Sequence, residues 1–452
     1  MSVFVLDRRK KPLMPCTEKR ARLLLSRGRA RVHRIHPFTI RLVDRSADES
    51  VIQPLQLKIA PAFKSSGLAL CRDDGEAVRA IFLLEVVHRS RSIRLALQTR
   101  AQLRRSRRGR KTRYRPMRRA NRANFRDWNP PSFRSIVQNV LTWAGRLSRL
   151  APVRGIVLED RPYDVSKVTD EWGYLKVGSA AHHEMKAYLS AKWNAACAYC
   201  GGSDDLGFDH LVPLSGGGAT NHRNLVFSCR ECNLEKATQE VSDFLRDYPE
   251  KLSSFRQHSR LPPLFAAHDK YIRSRLGTGL ARGAIPVSGF SGGLTELARD
   301  LNRLPFSKPV LAACVGAAGP VLLQSRKVLV AQASGRGRRC RTLYDKHGFA
   351  RAYMTRKKIL FGFRTGDIVR ARTTRARNPG SHFGRIAVRA DGKFRLESAG
   401  CTPRIVIHKN CVLAQHADGY RYQIGSIYDA APAKAARSVR QQPTSDDAPS
   451  PK

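Results

Sequence analysis

Apolar and polar positions repeat with two different periods along this chain, and the period predicts the elements. Apolar runs of strand length occur in VFVLD near the N-terminus, in residues 55–87 and in RGIVLED at 154–160. Residues 131–152, PSFRSIVQNVLTWAGRLSRLAP, instead place apolar side chains every three or four positions, which predicts an amphipathic helix. A basic helix over 17–32 and a strand over 34–43 are predicted after the first run. The chain therefore reads as α+β, and its length predicts several domains.

The segment 197–236 has a compact local pattern of its own. FDHLVPLS at 208–215 predicts a strand, SGGGATNHRN a loop and LVFS at 225–228 a second strand. A polar helix is expected from Cys229 onward. The predicted unit is strand, loop, strand and helix.

The C-terminal half predicts a further core segment and a separate β domain. Residues 284–318 suggest a short strand AIPVSG, a loop FSGG and a helix rich in small residues. From 335 to 428, strand-like alternation with hairpin turns at Asp391-Gly392 and Asp418-Gly419 predicts a small twisted β-barrel. Residues 429–452 are polar, charged and rich in Ala and Pro, which favours a disordered tail.

Two Cys-x-x-Cys pairs, Cys197/Cys200 and Cys229/Cys232, flank the strand–loop–strand segment. Each pair suits a tight turn, and two such turns can supply the four thiolates of a closed Zn²⁺ site. A site without an open position holds structure and performs no chemistry. The remaining six of the ten cysteines are scattered, which fits a reducing interior better than a disulfide scaffold.

The net charge of the chain indicates what kind of partner it binds rather than how it folds. The chain carries 83 Lys and Arg against 36 Asp and Glu, a formal net charge of +47. Such an excess predicts a polyanionic partner. Residues 89–126 alone hold sixteen Arg or Lys and no acid, and a solvated or disordered run is the alternative reading of that segment. No apolar stretch is long enough to span a membrane, the N-terminus lacks the apolar run of a signal peptide, and we expect a cytoplasmic (prokaryotic) protein.

The segment 197–236 resembles the HNH, or ββα-metal, nuclease finger. The resemblance implies that His210 is the general base and that Asp209 and Asn233 hold one divalent cation, Mg²⁺ or Mn²⁺. It further implies that Asn224 braces the loop beside His210 and that Lys236 can touch a phosphate. A plain zinc ribbon used for binding is the alternative, but a ribbon needs neither His after Asp nor the two later asparagines.

Pro12-Leu13-Met14-Pro15, followed by an Arg-rich helix, resembles the N-terminal PLMP (RRXRR) module of IscB proteins, which are transposon-encoded RNA-guided HNH/RuvC endonucleases related to type II CRISPR effectors. The resemblance implies a split RNase H-like (RuvC) core, an inserted zinc-stapled HNH domain, an arginine-rich bridge helix and a C-terminal β-barrel. The implied domains are an N-terminal module 1–50, RuvC-I 51–88, a bridge region 89–127, a helix with RuvC-II 128–175, HNH 176–248, RuvC-III 249–330, a β domain 331–428 that reads the target-adjacent motif, and the tail 429–452.

Most of the catalytic positions of the RuvC pattern hold other residues in this sequence. The strand Asp is replaced by Ala60, and the later His and Asp by Pro309 and Ala312. Only Glu159 is retained. A methyl group cannot ligate Mg²⁺, so the resemblance implies an inactive RuvC site.

The implied partners are a guide RNA encoded near the gene and target double-stranded DNA, in a monomeric ribonucleoprotein. Arginine suits phosphate recognition. The candidate nucleic-acid contacts of the bridge region are Arg104, Arg105, Arg107, Arg108, Arg110, Arg113 and Arg115. Those of the C-terminal domain are Arg372, Arg375, Arg377, Arg385 and Arg389, and a basic SH3-like barrel is an equal alternative for each of these.

Three functions remain open from the sequence. The first is a nickase whose HNH site cuts the guide-paired strand. The second is an RNA-guided DNA-binding (regulatory) protein without significant cleavage. The third is a stand-alone HNH endonuclease whose arginines bind DNA.

Overall fold

The structure is a computed structural model that describes residues 1–109, 130–161, 163, 179–260, 264–335, 342–344, 350–353, 357, 359–373, 379–398 and 402–428. In these ranges, no helix has the length and apolar character needed to cross a membrane. The predicted tail 429–452 and bridge-region positions Arg110, Arg113 and Arg115 lie outside them.

Helices and strands alternate along the chain. The helices are α1 Glu18–Ser26, α2 Ser90–Gly109, α3 Pro131–Leu150, α4 Ala180–Trp193, α5 Arg230–Lys236, α6 Val241–Phe244, α7 Pro249–Arg260, α8 Leu264–Ala281, α9 Gly292–Leu301 and α10 Lys308–Cys314. The strands are β1 Phe4–Leu6, β2 Ala30–Arg34, β3 Thr39–Leu42, β4 Leu55–Ala60, β5 Ser65–Asp73, β6 Val78–Val87, β7 Val153–Arg161, β8 Leu206–His210, β9 Leu225–Cys229, β10 Val287–Ser291, β11 Val321–Leu323, β12 Lys327–Ala333, β13 Thr342–Tyr344, β14 Ala350–Tyr353, β15 Ile359–Leu360, β16 Phe363–Arg364, β17 Ile368–Thr373, β18 Gly380–Ala387, β19 Lys393–Glu397, β20 Arg404–Ile407, β21 Cys411–Gln415 and β22 Tyr420–Ser426. The prediction of a mixed α/β multidomain chain is confirmed.

The N-terminal module is a three-stranded sheet, in the order β1-β3-β2, with α1 packed against it. Thr17 caps the first turn of α1, because its side chain accepts a hydrogen bond from the N–H of Arg20. The helix ends at Ser26, ahead of Gly28, whose φ of +69° belongs to the left-handed region. The predicted helix over 17–32 is therefore too long, and its last residues form β2.

The central sheet assembles segments that lie far apart in the sequence. Its strand order is β10-β7-β4-β5-β6-β12-β22, and β11 pairs with β6 beside this path. β5 is antiparallel to β4 and to β6, whereas β7 is parallel to both β4 and β10. The register places Ile59 beside Leu158, and Leu158 beside Gly289. The strands ending at Ala60 and near Glu159 therefore bring their carboxyl ends to the same edge.

Helices cover both faces of this sheet. On one face, α3 and α8 contribute Trp143, Leu147 and Leu276 to the largest apolar cluster. On the other, α10 contributes Val310, Ala312 and Cys314. β4 lies between these two layers and is almost wholly buried, which explains why its sequence shows no polar alternation.

Two predictions around the sheet are corrected. The FSGG segment is not a loop: it ends β10 and begins α9, because the Ser291 hydroxyl accepts the N–H of Leu294 and caps the helix. β22 does not belong to the C-terminal β domain but pairs antiparallel with β12 in the central sheet. Asp418-Gly419 accordingly connects β21 to a strand of another sheet and is not a hairpin turn.

The C-terminal β domain contains a five-stranded antiparallel sheet in the order β20-β19-β18-β17-β21. Its apolar cluster includes Val369, Ile386, Phe394 and Val406. The predicted turn at Asp391-Gly392 does connect β18 to β19, and Gly392 has φ of +75°. In the described residues this sheet is open rather than a closed barrel.

Gly67 generates a prediction about the packing of α10. A Cβ built at Gly67 would lie 1.9 Å from the carbonyl oxygen of Lys308, at the start of α10, so Gly67→Ala must displace backbone. We expect this variant to lower the free energy of unfolding by roughly 1–3 kcal/mol. Gly155→Ala in β7 is the matched control, since nothing lies within 4 Å of its Cβ position. Equal denaturant midpoints for the two variants would contradict the close approach.

Candidate active site and zinc centre

The four cysteines predicted to bind zinc lie together. β8 and β9 pair antiparallel with Leu206 opposite Cys229, which brings the two Cys-x-x-Cys turns side by side. All four Sγ atoms lie within 4.8 Å of one another, and Cys200 and Cys229 are separated by 3.6 Å. Zn–S bonds of about 2.3 Å in a tetrahedron place sulfurs about 3.8 Å apart, so the donor set fits Zn²⁺.

Local hydrogen bonds favour the thiolate form of Cys197, whereas burial raises the pKa of Cys232. Burial of Cys197 opposes ionisation, but backbone hydrogen bonds within the cluster outweigh it and lower the pKa of this thiol to about 7. Cys229 also caps α5, because its Sγ accepts the N–H of Cys232 at 3.5 Å. The predicted zinc site therefore fixes the start of the helix that carries Asn233.

His210 is the last residue of β8. It is half-buried, and its Nε2 lies 2.9 Å from the hydroxyl oxygen of Thr220. Burial lowers the pKa of His210 below its usual value, with Asp209 opposing the shift and Lys236 adding to it. The imidazole is thus favoured in its neutral form, which a general base requires.

The loop after His210 is held by Asn224. Its Oδ1 accepts the N–H of Val212 at 2.9 Å, and its Nδ2 donates to the carbonyls of Val212 at 2.9 Å and Ala219 at 3.0 Å. Gly218 is required by this closure, since a Cβ there would lie 1.9 Å from the Val212 carbonyl oxygen. The catalytic contribution of Asn224 stays a prediction, and its contacts are those of a loop brace.

Asp209 points into the interior, on the opposite side of β8 from His210. Its side chain is 6 % exposed; Oδ2 accepts the Tyr199 hydroxyl at 2.5 Å and Oδ1 accepts the Lys236 ammonium at 3.2 Å. Burial and then the Asp209 carboxylate raise the pKa of Tyr199, so its hydroxyl keeps its proton and donates. Each carboxylate oxygen retains a further lone pair with which it could bind a cation.

The prediction that Lys236 touches a phosphate does not agree with the structure. Its side chain is fully buried, and its Nζ donates to the carbonyl of His210 at 2.7 Å as well as to Asp209. Lys236 therefore links α5 to the end of β8. Desolvating an ammonium is costly without such a partner, so this contact fixes the position of the lysine.

Asn233 lies on α5 and is half-buried. Its backbone carbonyl accepts the N–H of Ala237 at 3.0 Å, and its side-chain amide makes no hydrogen bond to another described residue. Its role as a cation ligand stays a prediction. An amide oxygen and a carboxylate are the hard donors that Mg²⁺ or Mn²⁺ prefers.

Sequence reasoning missed two side chains of this site. Thr220 contacts the imidazole of His210, and Tyr199 donates to Asp209. Tyr199 stands between the cysteines of the first pair and Thr220 within the predicted loop, and neither position carries a sequence signal for these contacts. Both depend on pairing across the β8–β9 unit.

A second polar site lies at the carboxyl edge of the central sheet. Ala60, Ala312 and Pro309 are buried, and the Glu159 side chain forms an ion pair with Arg273 at 2.9 Å. A cavity of about 420 Å³ there is lined by Ala60, Glu159, Arg273 and Glu296 and by residues of α4. Burial raises the pKa of Glu296. Apart from the four cysteines, no three His, Cys, Asp or Glu side chains of the described residues cluster as metal ligands would.

The predicted arginine contacts are only partly covered by the structure. α2 runs from Ser90 to Gly109 in one helix, as predicted up to Arg108, and Arg105 is exposed. The side chains of Arg104, Arg107 and Arg108 lie outside the described set, as do Arg375 and Arg377. Arg372 and Arg389 are exposed, whereas Arg385 is half-buried and burial lowers its pKa.

Two protein-family models match parts of this chain. Residues 3–175 match the RRXRR protein family, and residues 197–239 match the HNH endonuclease family. Among curated proteins, none matches this chain.

Solved structures with partial similarity include the Type II-C Cas9 enzyme from Actinomyces naeslundii, at 16% identity over 41% of this chain and 30% of that one, with a TM-score of 0.16. Streptococcus thermophilus Cas9 in complex with the AGAA PAM gives 11% identity over 56% and 32%, with a TM-score of 0.20. The same enzyme in complex with the GGAA PAM gives 12% identity over 57% and 32%, with a TM-score of 0.22. The chain thus spans about a third of the length of these proteins.

Residues 197–239 therefore form an HNH endonuclease domain, which belongs to a class of metal-dependent phosphodiester hydrolases. An RRXRR domain followed by an HNH endonuclease domain is the combination that the Pro12–Pro15 motif and the segment 197–236 predict, so the predicted resemblance to IscB-like endonucleases is confirmed.

The zinc centre generates the second prediction. Purified protein should contain one tightly bound zinc ion, and Cys200→Ser should lose it and lower the thermal unfolding temperature of the HNH domain, because one of four thiolates is removed. Cys16→Ser is the control, since Cys16 lies in the N-terminal cluster. Full zinc content in Cys200→Ser, measured by atomic emission, would contradict a four-thiolate site.

Proposed function

We propose that this protein is an RNA-guided DNA endonuclease that nicks the guide-paired strand with its HNH site, while the RuvC-like sheet serves as a scaffold. One observation carries the proposal. His210 is half-buried and held by Thr220 in an HNH domain, whereas the carboxyl edge of the central sheet keeps only Glu159 of the carboxylates that the RuvC pattern predicts there. His210, which contacts Thr220, supports an HNH site that can cut. Ala60 and Ala312, which are buried where the family pattern has carboxylates, support a RuvC-like site that cannot.

His210 acts as the base through Nδ1. When the Nε2–H group donates to the Thr220 hydroxyl, the lone pair of the neutral ring lies on Nδ1, which can take a proton from the attacking water. The Asn224 bonds to Val212 restrict the loop that follows His210 and so restrict the ring. The proposed reaction is hydrolysis of a phosphodiester: the water oxygen forms the new P–O bond, the P–O3′ bond breaks, and the 3′ oxygen takes up a proton from solvent.

Asp209 and Asn233 would hold one divalent cation, Mg²⁺ or Mn²⁺. Such a cation supplies neutralisation of the charge that builds on the phosphate and the leaving oxygen. Tyr199 and Lys236 orient the Asp209 carboxylate from within the domain, as hydrogen-bonding partners of a metal ligand usually do. The zinc centre contributes no chemistry, and it fixes α5 against β8.

The central sheet supports the second half of the proposal. Its five strands β6-β5-β4-β7-β10, with β7 and β10 parallel to β4, have the order of an RNase H-like nuclease frame. Such a site works by holding two metal ions between clustered carboxylates. With Ala60 and Ala312 at two ligand positions, Glu159 alone cannot hold them.

The partners follow from charge. A net charge of +47 and the exposed arginines of α2 fit a guide RNA and a target duplex, with base pairing selecting the DNA. The C-terminal β domain is proposed to read a short motif beside the target, with Arg372 and Arg389 as exposed contacts.

The third prediction concerns strand choice. The RNA-bound protein should cut the guide-paired strand of a duplex labelled on each strand, and His210→Ala should reduce that cutting by at least about a hundredfold, the scale of a lost general base. His222→Ala, in the same loop, is the matched control and should keep most activity. Efficient cutting of the unpaired strand by His210→Ala would refute the nickase.

A regulatory, DNA-binding role is the second candidate, because Lys236 already holds Asp209 in an ion pair. Guide-dependent DNA binding by the wild-type protein in Mg²⁺ or Mn²⁺, without cleavage of either strand, would favour this role over the nickase. Cleavage without bound RNA would favour the stand-alone endonuclease.

The fourth prediction concerns α2. The logarithm of the association constant for the guide RNA should fall linearly with the logarithm of salt concentration. Each neutralised phosphate should make this slope steeper by about 0.7 to 0.9. Replacing four exposed arginines of α2 by Gln should reduce the slope by about 3. These arginines are Arg91, Arg94, Arg100 and Arg105.

The matched control replaces four exposed cations from other parts of the chain by Gln. These cations are Lys251, Arg282, Arg303 and Arg326. If both sets reduce the slope equally, α2 has no special role and only net charge matters.

A further inference from the structure

Arg273 is a buried cation at the carboxyl edge of the central sheet. It projects from α8, and its side chain is 5% exposed. Its Nη1 donates to the carbonyl oxygen of Glu159 at 2.6 Å and lies 2.9 Å from the carboxylate of the same residue. Nη2 donates to the carbonyl oxygen of Pro61 at 3.3 Å, and Asp269, one turn earlier on α8, accepts from Nε at 3.2 Å and from Nη2 at 3.1 Å.

These contacts join the ends of two adjacent parallel strands. Pro61 directly follows Ala60 at the end of β4, and Glu159 lies near the end of β7. In an RNase H-like frame, these are the two strand ends whose carboxylates hold a metal ion between them. The guanidinium therefore lies where the first carboxylate would meet the second.

Charge explains why the arrangement is stable. Burial works against the charge of Arg273, but Glu159 and Asp269 outweigh it and raise the pKa of the guanidinium, so it remains a fixed cation. The donors of the guanidinium are directed at carboxylates and carbonyls, and Glu159 is paired with it. A divalent ion entering beside Glu159 would meet this cation at close range, and like charges repel strongly where the effective dielectric constant is low.

The residues present therefore do not fit the two metal ions that such a frame holds. We infer that the guanidinium of Arg273 has taken the place of the metal at this site, so that Glu159 is retained as its ion-pair partner rather than as a catalytic ligand. The inference rests on the proposed RNase H-like frame. It accounts for the survival of one carboxylate after the other positions became Ala60, Pro309 and Ala312.

Helix α4, which packs against β9 of the HNH domain, covers the same place. α4 lines the cavity with Lys186, Ala187 and Ala191, beside Ala60 and Glu159. Glu184 of α4 accepts a hydrogen bond from Ser291, the capping residue of α9, and a Cβ at Gly293 would lie 2.6 Å from the Glu184 carboxylate. The neutralised edge of the sheet thus serves as a packing surface for α4.

The test asks whether a metal ion and Arg273 exclude each other. Ala60→Asp returns one carboxylate, and we compare it with Ala60→Asp/Arg273→Gln by counting bound Mn²⁺ per zinc-loaded chain and by the Mn²⁺-dependent shift in the thermal unfolding temperature. We expect Ala60→Asp alone to bind no more Mn²⁺ than the parent protein. The double variant should bind one additional ion and unfold at a higher temperature with Mn²⁺ than in the same zinc-loaded state without Mn²⁺. Ala60→Asp/Lys270→Gln is the control, because Lys270 is an exposed cation on the same helix.

Three results have different meanings. An additional Mn²⁺ ion in Ala60→Asp with Arg273 intact would overturn the inference and leave the RNase H-like frame standing. No additional ion in a folded double variant would overturn the inference that Arg273 occupies a metal position, while the strand order of the frame would stand and HNH cleavage is judged separately through His210. An additional ion only after Arg273 is replaced supports both.

If the double variant does not fold, Ala60→Asp alone decides. With Arg273 serving as the fixed cation, zinc-loaded Ala60→Asp should unfold at the same temperature with and without Mn²⁺, after correction for the parent protein. A loss of several degrees without Mn²⁺ that Mn²⁺ restores would contradict the inference.

Discussion

Parallel strands cannot be joined by a tight turn, and this constraint organises the whole chain. β4, β7 and β10 lie side by side and parallel, so each step between them needs a long connection that leaves the sheet and returns. The first connection contains β5, β6, α2 and α3, and the second contains the HNH domain with α7 and α8. The nuclease domain is thus an elaborated crossover, and α8 is the helix that brings the chain back. That return path is what places Arg273 at the strand ends.

Strand geometry also separates the tasks inside the HNH domain. Successive side chains of a strand point to opposite sides, so Asp209 and His210 face different environments although they are neighbours. The acid lies among Tyr199 and Lys236 in the interior, and the imidazole lies beside the loop held by Asn224. The cluster of four cysteines connects both environments, because it joins the start of α5 to the turn before β8.

Local patterns in the sequence were sufficient for the elements and for the zinc cluster, since these depend on spacing and periodicity over a few residues. The Cys-x-x-Cys pairs, the amphipathic helix α3 and the helical start of the arginine-rich segment all appear as predicted. The prediction that Lys236 contacts a phosphate was wrong for a different reason. The sequence shows a lysine on a polar helix, and only the approach of α5 to β8 shows that this lysine is buried. The contact of Arg273 with Pro61 spans 212 positions along the chain and carries no sequence pattern. Predicting it would have required the crossover path of α8.

The course of β22 has a practical consequence for engineering. β12 ends with Ala333 opposite Tyr420, where β22 begins, and the N–H of Ser334 donates to the carbonyl of Gly419 at 2.8 Å. The chain between the end of β12 and the start of β22 therefore leaves the central sheet and returns to it at one point. It is an insertion between two antiparallel, neighbouring strands. The C-terminal β domain could therefore be exchanged for another module, or for a two-residue turn, without cutting a strand of the central sheet. The C-terminal β domain is thus an insertion at one point of the central sheet, whereas the HNH strand β9 contacts α4, and α4 in turn contacts α8 and α9.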